Sequence, residues 1–240
     1  MNIALHRRQS GFSLVEMMIS TAVGLLLISG VLSAYVASSK SYRLQEAMSQ
    51  VQETGRYILE RVPYDLRNAG LGLSADVAAI QGYANAAAAE TELSDGPLLT
   101  DDDRIAGEVV YIPAHDGAEE IAYYVATDTD GVLSLYRYEA EEDKEIKPLA
   151  LVQGVEEIAV EYGLDSSEIA DHQVDEFKAV ADVTDWTQVV AVRLSFLVAS
   201  LERGVLDERQ TLAAPFTGSN QDRRLYRTYT TTIGLRNRLL

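Results

Sequence analysis

Few residues of this chain stand in a pattern that could do chemistry. Asp128-x-Asp130-Gly131 copies two ligand positions and the glycine of an EF-hand loop, but the preceding ligand position holds Ala126 and the loop's twelfth holds no glutamate. A plain turn is the expectation there. The acidic groups at 101–103 and 139–143 could hold calcium at low affinity, yet such charge runs read first as solvated loops. His6, His115 and His172 show no paired ligand spacing, so no zinc site follows. The chain has no cysteine, no glycine-x-serine-x-glycine elbow and no P-loop, and so offers neither an activated nucleophile nor a phosphate cradle. No catalytic, cofactor-binding or metal-ligating residue is assigned. One ionisable group does have an unusual setting: Glu16, which stands alone in an apolar segment.

That segment organises the chain. A polar, basic leader with Arg7 and Arg8 ends at Gly11, the apolar run starts at Phe12, and from Met17 to Ser39 there is no charged residue. At about 1.5 Å per residue such a helix crosses roughly 30 Å of hydrocarbon. A carboxylate in a membrane segment costs about 2.5–3.5 kcal/mol at the helix centre and less near its edge. Glu16 therefore needs a compensating partner, or else it sits at headgroup level and reaches water.

The order of basic leader, Gly11, Phe12, Glu16 and apolar helix resembles the type IV prepilin signal. In that family the leader is cut after the glycine, and the same peptidase N-methylates the new first residue. The resemblance implies a cut between Gly11 and Phe12, methylation of Phe12, and an assembly role for Glu16. An ordinary secretory signal is cut after its apolar region and loses it; here the anchor would stay. The cut would create an α-amino group four residues from Glu16, able to pair along one helix turn or with the glutamate of a neighbouring subunit. The family implies the second pairing, which sets axial register in a filament.

The net charge of −17 argues against binding a phosphate backbone, which needs clustered Lys and Arg. An acidic balance keeps an exported domain soluble. A chain of 240 residues, 47% of them hydrophobic, can bury one core beyond the anchor without disulfides, so the lack of cysteine fixes no compartment. Arg7 and Arg8 place the N-terminus in the cytoplasm and everything after Lys40 outside; Lys40 and Arg43 weaken that asymmetry without reversing it.

Residues 12–62 read as one long helix. Its second half is amphipathic, with Leu44, Met48, Val51, Gly55, Ile58 and Val62 recurring at steps of three and four. The stripe is expected to pack on the protein's own sheet. Gly24 and Gly30 loosen the membrane half. Pro63 is expected to end or kink the helix, with a short capped turn after it closing at Gly70 and Gly72. Residues 74–107, with an alanine cluster from Ala86 to Ala89, read as a helix-to-sheet connection containing one short helix. Strands are expected at 108–113, 119–127, 132–138, 155–164, 188–200 and 225–235, with a hairpin turn at 128–131. The tyrosines on these strands are assigned to core and sheet face.

Leu66-Arg-Asn-Ala-Gly70 after the helix, and the final run of strand, acidic loop, Trp186, strand and Thr-rich strand closing on Arg236-Asn-Arg238, resemble the PilW-like minor pilins. The fold implied is α+β and pilin-like: a long N-terminal helix, membrane half plus amphipathic half, packed on a C-terminal antiparallel β-sheet domain. The organisation expected is leader 1–11, membrane or filament-core helix 12–39, amphipathic half and cap 40–72, and extracytoplasmic β-rich domain 73–240. The function implied is a structural subunit, not an enzyme, that primes or caps type IV pilus assembly. The partners implied are prepilin peptidase, other minor pilins, the major pilin, the inner membrane and the assembly platform, with no nucleic acid and no cofactor. Two alternatives stay open: a minor pseudopilin of a type II secretion system, and a membrane-tethered periplasmic enzyme or binding domain.

Overall fold

The computed structural model describes residues 11–74, 76–85, 88–89, 105–113, 120–128, 130–140, 148–167, 170–218 and 222–235. One helix, α1 (Leu14–Asn68), opens the chain and runs for 55 residues. The chain divides into two units, one ending at Gln45 and one beginning at Glu46. In the first unit the helix is largely exposed, with Leu14, Met17, Leu26, Val31 and Tyr35 among its exposed large side chains. In the second, Ala47, Val51, Thr54, Gly55, Ile58, Val62, Asp65 and Leu66 are buried. Leu44 and Met48, which open the sequence stripe, are only half-buried.

Pro63 does not end the helix. Proline costs a helix one N–H bond and disfavours helical geometry in the residue before it. Val62, Pro63, Asp65 and Leu66 are all buried, and that packing carries the helix to Asn68. Termination falls to Gly70 and Gly72, whose φ angles of 75° and 84° lie in the left-handed region that favours glycine.

The strands form two antiparallel sheets rather than one. The first contains, in spatial order, β1 (Gln81–Tyr83), β2 (Ile105–Ile112), β3 (Glu120–Thr127), β4 (Leu133–Ala140) and β5 (Leu149–Gln153). The second contains β6 (Val155–Leu164), β7 (Glu176–Ala179), β8 (Val189–Ala199) and β9 (Tyr226–Gly234), in the order β7-β6-β8-β9. Two 3-10 turns, Val180–Asp182 and Trp186–Gln188, lead into β8. The six expected strands are all present, and β1, β5 and β7 are additional. The alanine cluster at 86–89 lies partly outside the described residues, and the acidic groups at 101–103 and 141–143 lie wholly outside them.

A single residue carries the chain from one sheet to the other. Gly154 separates β5 from β6 with φ 83°, donates its N–H to the Leu133 carbonyl at 2.8 Å and accepts from the Ala199 N–H at 2.8 Å. A Cβ there would stand 2.7 Å from the Ala199 oxygen, so both the backbone angle and the space require glycine. A second junction uses a bulge in β2, where the register to β3 shifts between Ala106 and Val110. Gly107 lies against the Ile158 carbonyl, and Glu108 Oε2 accepts the Val160 N–H at 2.8 Å. Burial raises the Glu108 carboxyl above its ordinary range, the Val160 N–H opposes that, and Glu157 adds to it.

One core unites Val51, Ile58, Val62 and Leu66 of α1 with Val110, Ile112, Tyr123, Val125 and Leu135 of the first sheet and Ile158, Val160, Tyr162, Val192, Leu194, Phe196 and Ile233 of the second. The opposite face of the first sheet buries Tyr83, Tyr111, Tyr124 and Tyr138, with Tyr124 stacked on Tyr136 at 5.6 Å between ring centres. The strand tyrosines are thus core and sheet face, as their placement on the strands implied.

Candidate functional site

The N-terminal segment is exposed. Gly11, Phe12 and Ser13 precede the helix, and Phe12 is 81% exposed, so the Gly11–Phe12 peptide bond lies in non-helical, solvent-facing chain. A protease needs its substrate in that state, because a helical bond hides its carbonyl and N–H. The first helical hydrogen bond runs from the Met17 N–H to the Ser13 carbonyl at 3.1 Å. Glu16 is exposed in the first turn, where a carboxylate meets the positive end of the helix dipole. Ser13 and Glu16 stand at capping-box spacing, a local feature that the sequence reading did not extract. His6, Arg7 and Arg8 lie outside the described residues.

The helix that follows is long and apolar enough to cross a membrane, and none of its most apolar stretch is buried. Its hydroxyls are satisfied internally: Thr21 Oγ1 donates to the Met18 carbonyl and Ser33 Oγ to the Ser29 carbonyl, both at 2.9 Å. Back-bonding of this kind spares those two donors an unmet state in hydrocarbon.

In the second unit, polar contacts tie α1 to both sheets. Asp65 is buried at a position where the apolar stripe would continue, seven residues beyond Ile58. Arg137 is buried on the row of β4 that also carries Leu133 and Leu135. Arg137 Nε meets Asp65 Oδ2 at 2.9 Å, and the Tyr123 hydroxyl donates to the same oxygen. Arg137 also makes a two-pronged pair with Glu139, and Arg61 reaches Asp65 at 3.5 Å from one turn away. Burial and then the Asp65 hydrogen bond push the Tyr123 phenol well above its usual range. On the other side, the Tyr229 hydroxyl of β9 donates to the Val51 carbonyl at 3.0 Å, and its ring occupies the space where Gly55 lacks a Cβ.

The remaining sequence candidates have structural work. Asp128 Oδ1 accepts the N–H groups of Asp130 and Val132, both at 2.9 Å, and Oδ2 accepts from Ser134 and from Gln153 at 2.8 Å. Although burial pulls the other way, those four donors hold the Asp128 carboxyl below its usual range. Its oxygens organise the β3–β4 turn, with the Gly131 N–H on the Asp128 carbonyl at 3.0 Å. Glu139 serves Arg137. His172 is exposed with φ 59°, and its backbone N–H goes to Asp165 Oδ2 at 2.7 Å. His115 lies outside the described residues. Among the described residues, no cluster of His, Asp and Glu has metal-binding geometry.

Two families of known proteins match this chain. The prokaryotic N-terminal methylation motif matches residues 6–32, and the type IV pilus-assembly protein W family matches residues 122–237. No curated protein matches it in sequence. Among solved structures, the type IV-like pilin TTHA1219 from Thermus thermophilus aligns at 15% identity with a TM-score of 0.40, covering 79% of this chain and 97% of that one. The first sequence match contains Gly11, Phe12, Glu16 and the start of the apolar helix; the second takes in β3 through β9, with Arg137 and Tyr229. The two sequence matches support a type IV prepilin-like, PilW-like protein.

Proposed function

We propose that this minor pilin acts at the start of pilus assembly, as a priming or capping subunit that joins other minor pilins before the major pilin adds. The observation that carries the reading is the exposed, non-helical Gly11–Phe12 bond set directly before a helix whose apolar half is wholly unburied. Prepilin peptidase would cut that bond and methylate Phe12. The new amine would then meet the Glu16 carboxylate of an adjacent subunit, an attraction that strengthens as lipid and neighbouring helices exclude water. Before assembly the chain would lie in the inner membrane with its N-terminus cytoplasmic and its sheets periplasmic, and the assembly platform would extract it. Membership of a pilin family points to a structural subunit, and the turn and joint roles of Asp128, Glu139 and Arg137 support that reading.

Intact-mass and N-terminal analysis of the protein from membranes, with and without prepilin peptidase, tests the proposal. A peptidase-dependent start at methylated Phe12 is expected. A start at Met1 in both samples would overturn it.

A further inference from the structure

β9 forms one edge of the second sheet, and the direction of its backbone groups is fixed at both ends. The Tyr226 N–H donates to Gln210 Oε1 at 3.0 Å and the Tyr226 carbonyl accepts from Gln210 Nε2 at 2.8 Å, so this residue bonds away from β8. The Leu235 N–H donates to the Val190 carbonyl at 2.9 Å, so that residue bonds toward β8. Directions alternate along an antiparallel strand. Thr228, Thr230 and Thr232 therefore point their N–H and C=O groups outward, and all three are exposed. Among the described residues none of those groups has a backbone partner. Gln210 imitates a paired strand at the first outward residue.

Exposed edges are usually blunted by shortness, charge, proline or a bulge. β7, at the other side of this sheet, has 4 residues; in the first sheet β1 has 3, and β5 has 5 with a register shift against β4. β9 has 9 residues, no proline, no register shift against β8, and Arg227 as its one charge. Its surroundings in sequence are basic in an acidic protein. From Arg223 to Leu235 there are arginines at 223, 224 and 227 and no acid, whereas the whole chain carries −17. Arg224 is occupied by Glu156 and Asp222. Arg223 and Arg227 are exposed and make no ion pair among the described residues. A second copy would bring two acidic bodies together, whereas a short acidic strand meets Arg223 and Arg227 and is the complementary occupant.

We propose that the outer edge of β9 is a strand-addition site for an extended, acidic segment of another protein chain, held by the outward backbone groups of Thr228, Thr230 and Thr232 and steered by Arg223 and Arg227. The inference rests on the second sheet alone and stands or falls separately from the processing of Phe12.

The test uses the full chain in detergent micelles and three end-blocked peptides as long as β9: alternating Glu and Val, alternating Lys and Val, and the Glu-Val peptide with alternate backbone amides N-methylated. Fluorescence anisotropy should show the Glu-Val peptide binding about tenfold or more tighter than either control. Residue-resolved hydrogen exchange should slow at Thr228, Thr230 and Thr232 on binding and stay unchanged at Arg227, Tyr229 and Thr231, which already bond to β8. Thr230→Pro removes an outward N–H without touching a bond to β8 and should abolish binding. Arg227→Glu, an exposed substitution, should weaken the Glu-Val peptide and favour the Lys-Val one, which keeps the test open if the proline variant unfolds. Absent or equal binding of the peptides, or binding without alternate protection, would overturn the proposal. Protection of the three threonines that grows with protein concentration alone would also overturn it, because the occupant would then be a second copy.

Discussion

The two halves of α1 obey different rules. In the first, Leu14, Met17, Leu26, Val31 and Tyr35 are exposed, and a Cβ added at Gly24 or Gly30 would meet nothing within 4 Å among the described residues. In the second, Val51, Ile58, Val62 and Leu66 enter the core, and a Cβ at Gly55 would stand 2.3 Å from the Tyr229 ring. The Thr21 and Ser33 hydroxyls of the first half bond back to their own helix, while the Asp65 carboxylate and the Val51 carbonyl of the second bond across to the sheets. The first half is thus written for surroundings the folded monomer does not supply, lipid or neighbouring helices. The second is written for the protein's own sheets. Substitutions in the first half should change assembly and leave folding alone, and those in the second should do the reverse.

Glu16→Ala is the strongest way to break that division. Removing one member of a charge pair desolvated in a filament should lower incorporation into the sheared pilus fraction by more than about tenfold. Thermal unfolding of the sheet domain, followed by circular dichroism in micelles, should not move. Normal incorporation and normal co-purification with sister pilins would remove the assembly role from Glu16. In the other half, Asp65→Ala strands a buried guanidinium beside Tyr123. Breaking a buried pair costs about 3–5 kcal/mol, and the low end is expected because Arg137 keeps Glu139. Urea denaturation measures it, and a loss under about 1 kcal/mol would show the joint to be a surface-like pair.

How much of this was legible in the sequence follows from which signals are local. β6 begins and ends where the pattern placed it, at Val155 and Leu164, and the 128–131 turn is present because Asp128 and Gly131 carry their geometry in their own types. Glu16, Gly11 and Phe12 were legible because one apolar run isolates them. Sheet membership was not legible. Residues 149–164 are nearly continuous in strand character, and only the left-handed φ at Gly154 sends β5 and β6 into different sheets. Pro63 does not end the helix because tertiary burial around it outweighs the local penalty. Asp65 and Arg137 went unnoticed although each placed a charge on an apolar row. Two opposite charges in such positions were the available sign of a buried pair, and their separation in sequence hid it.

A matched pair of glycine substitutions sharpens the comparison further. Alanine favours a helix over glycine by about 1 kcal/mol wherever space allows. At Gly30 space is open, so Gly30→Ala should leave the melting of the sheet domain unchanged. At Gly55 the same change drives a methyl into the Tyr229 ring and displaces its hydroxyl from the Val51 carbonyl. Overpacking of this kind costs about 1–3 kcal/mol and outweighs the propensity gain, so Gly55→Ala should lower the melting temperature. Truncating the ring in the double variant Gly55→Ala, Tyr229→Ala should remove the clash, so the two changes should fail to add. Additive losses would mean that Gly55 is required for some other reason.

The smallest effect concerns a carboxylate of the packed body, and its sign is opposite to that of an ordinary ion pair. Burial, the largest influence on Glu108, raises its carboxyl above the ordinary value of 4.5 against the pull of the Val160 N–H, with Glu157 reinforcing the rise. A group whose folded value is raised contributes stability that is full below its unfolded value and is lost as pH climbs through the folded one. The wild-type domain should therefore lose a little stability between about pH 4.5 and neutrality, with Glu157, also raised by burial, acting in the same direction. Glu108→Gln keeps a carbonyl for the Val160 N–H and removes the charge. Denaturation midpoints taken across that range should fall less steeply for the variant than for the wild type. Parallel profiles would mean that the bulge where β2 meets β6 does not titrate, and that the junction of the two sheets depends on Gly107 and the backbone alone.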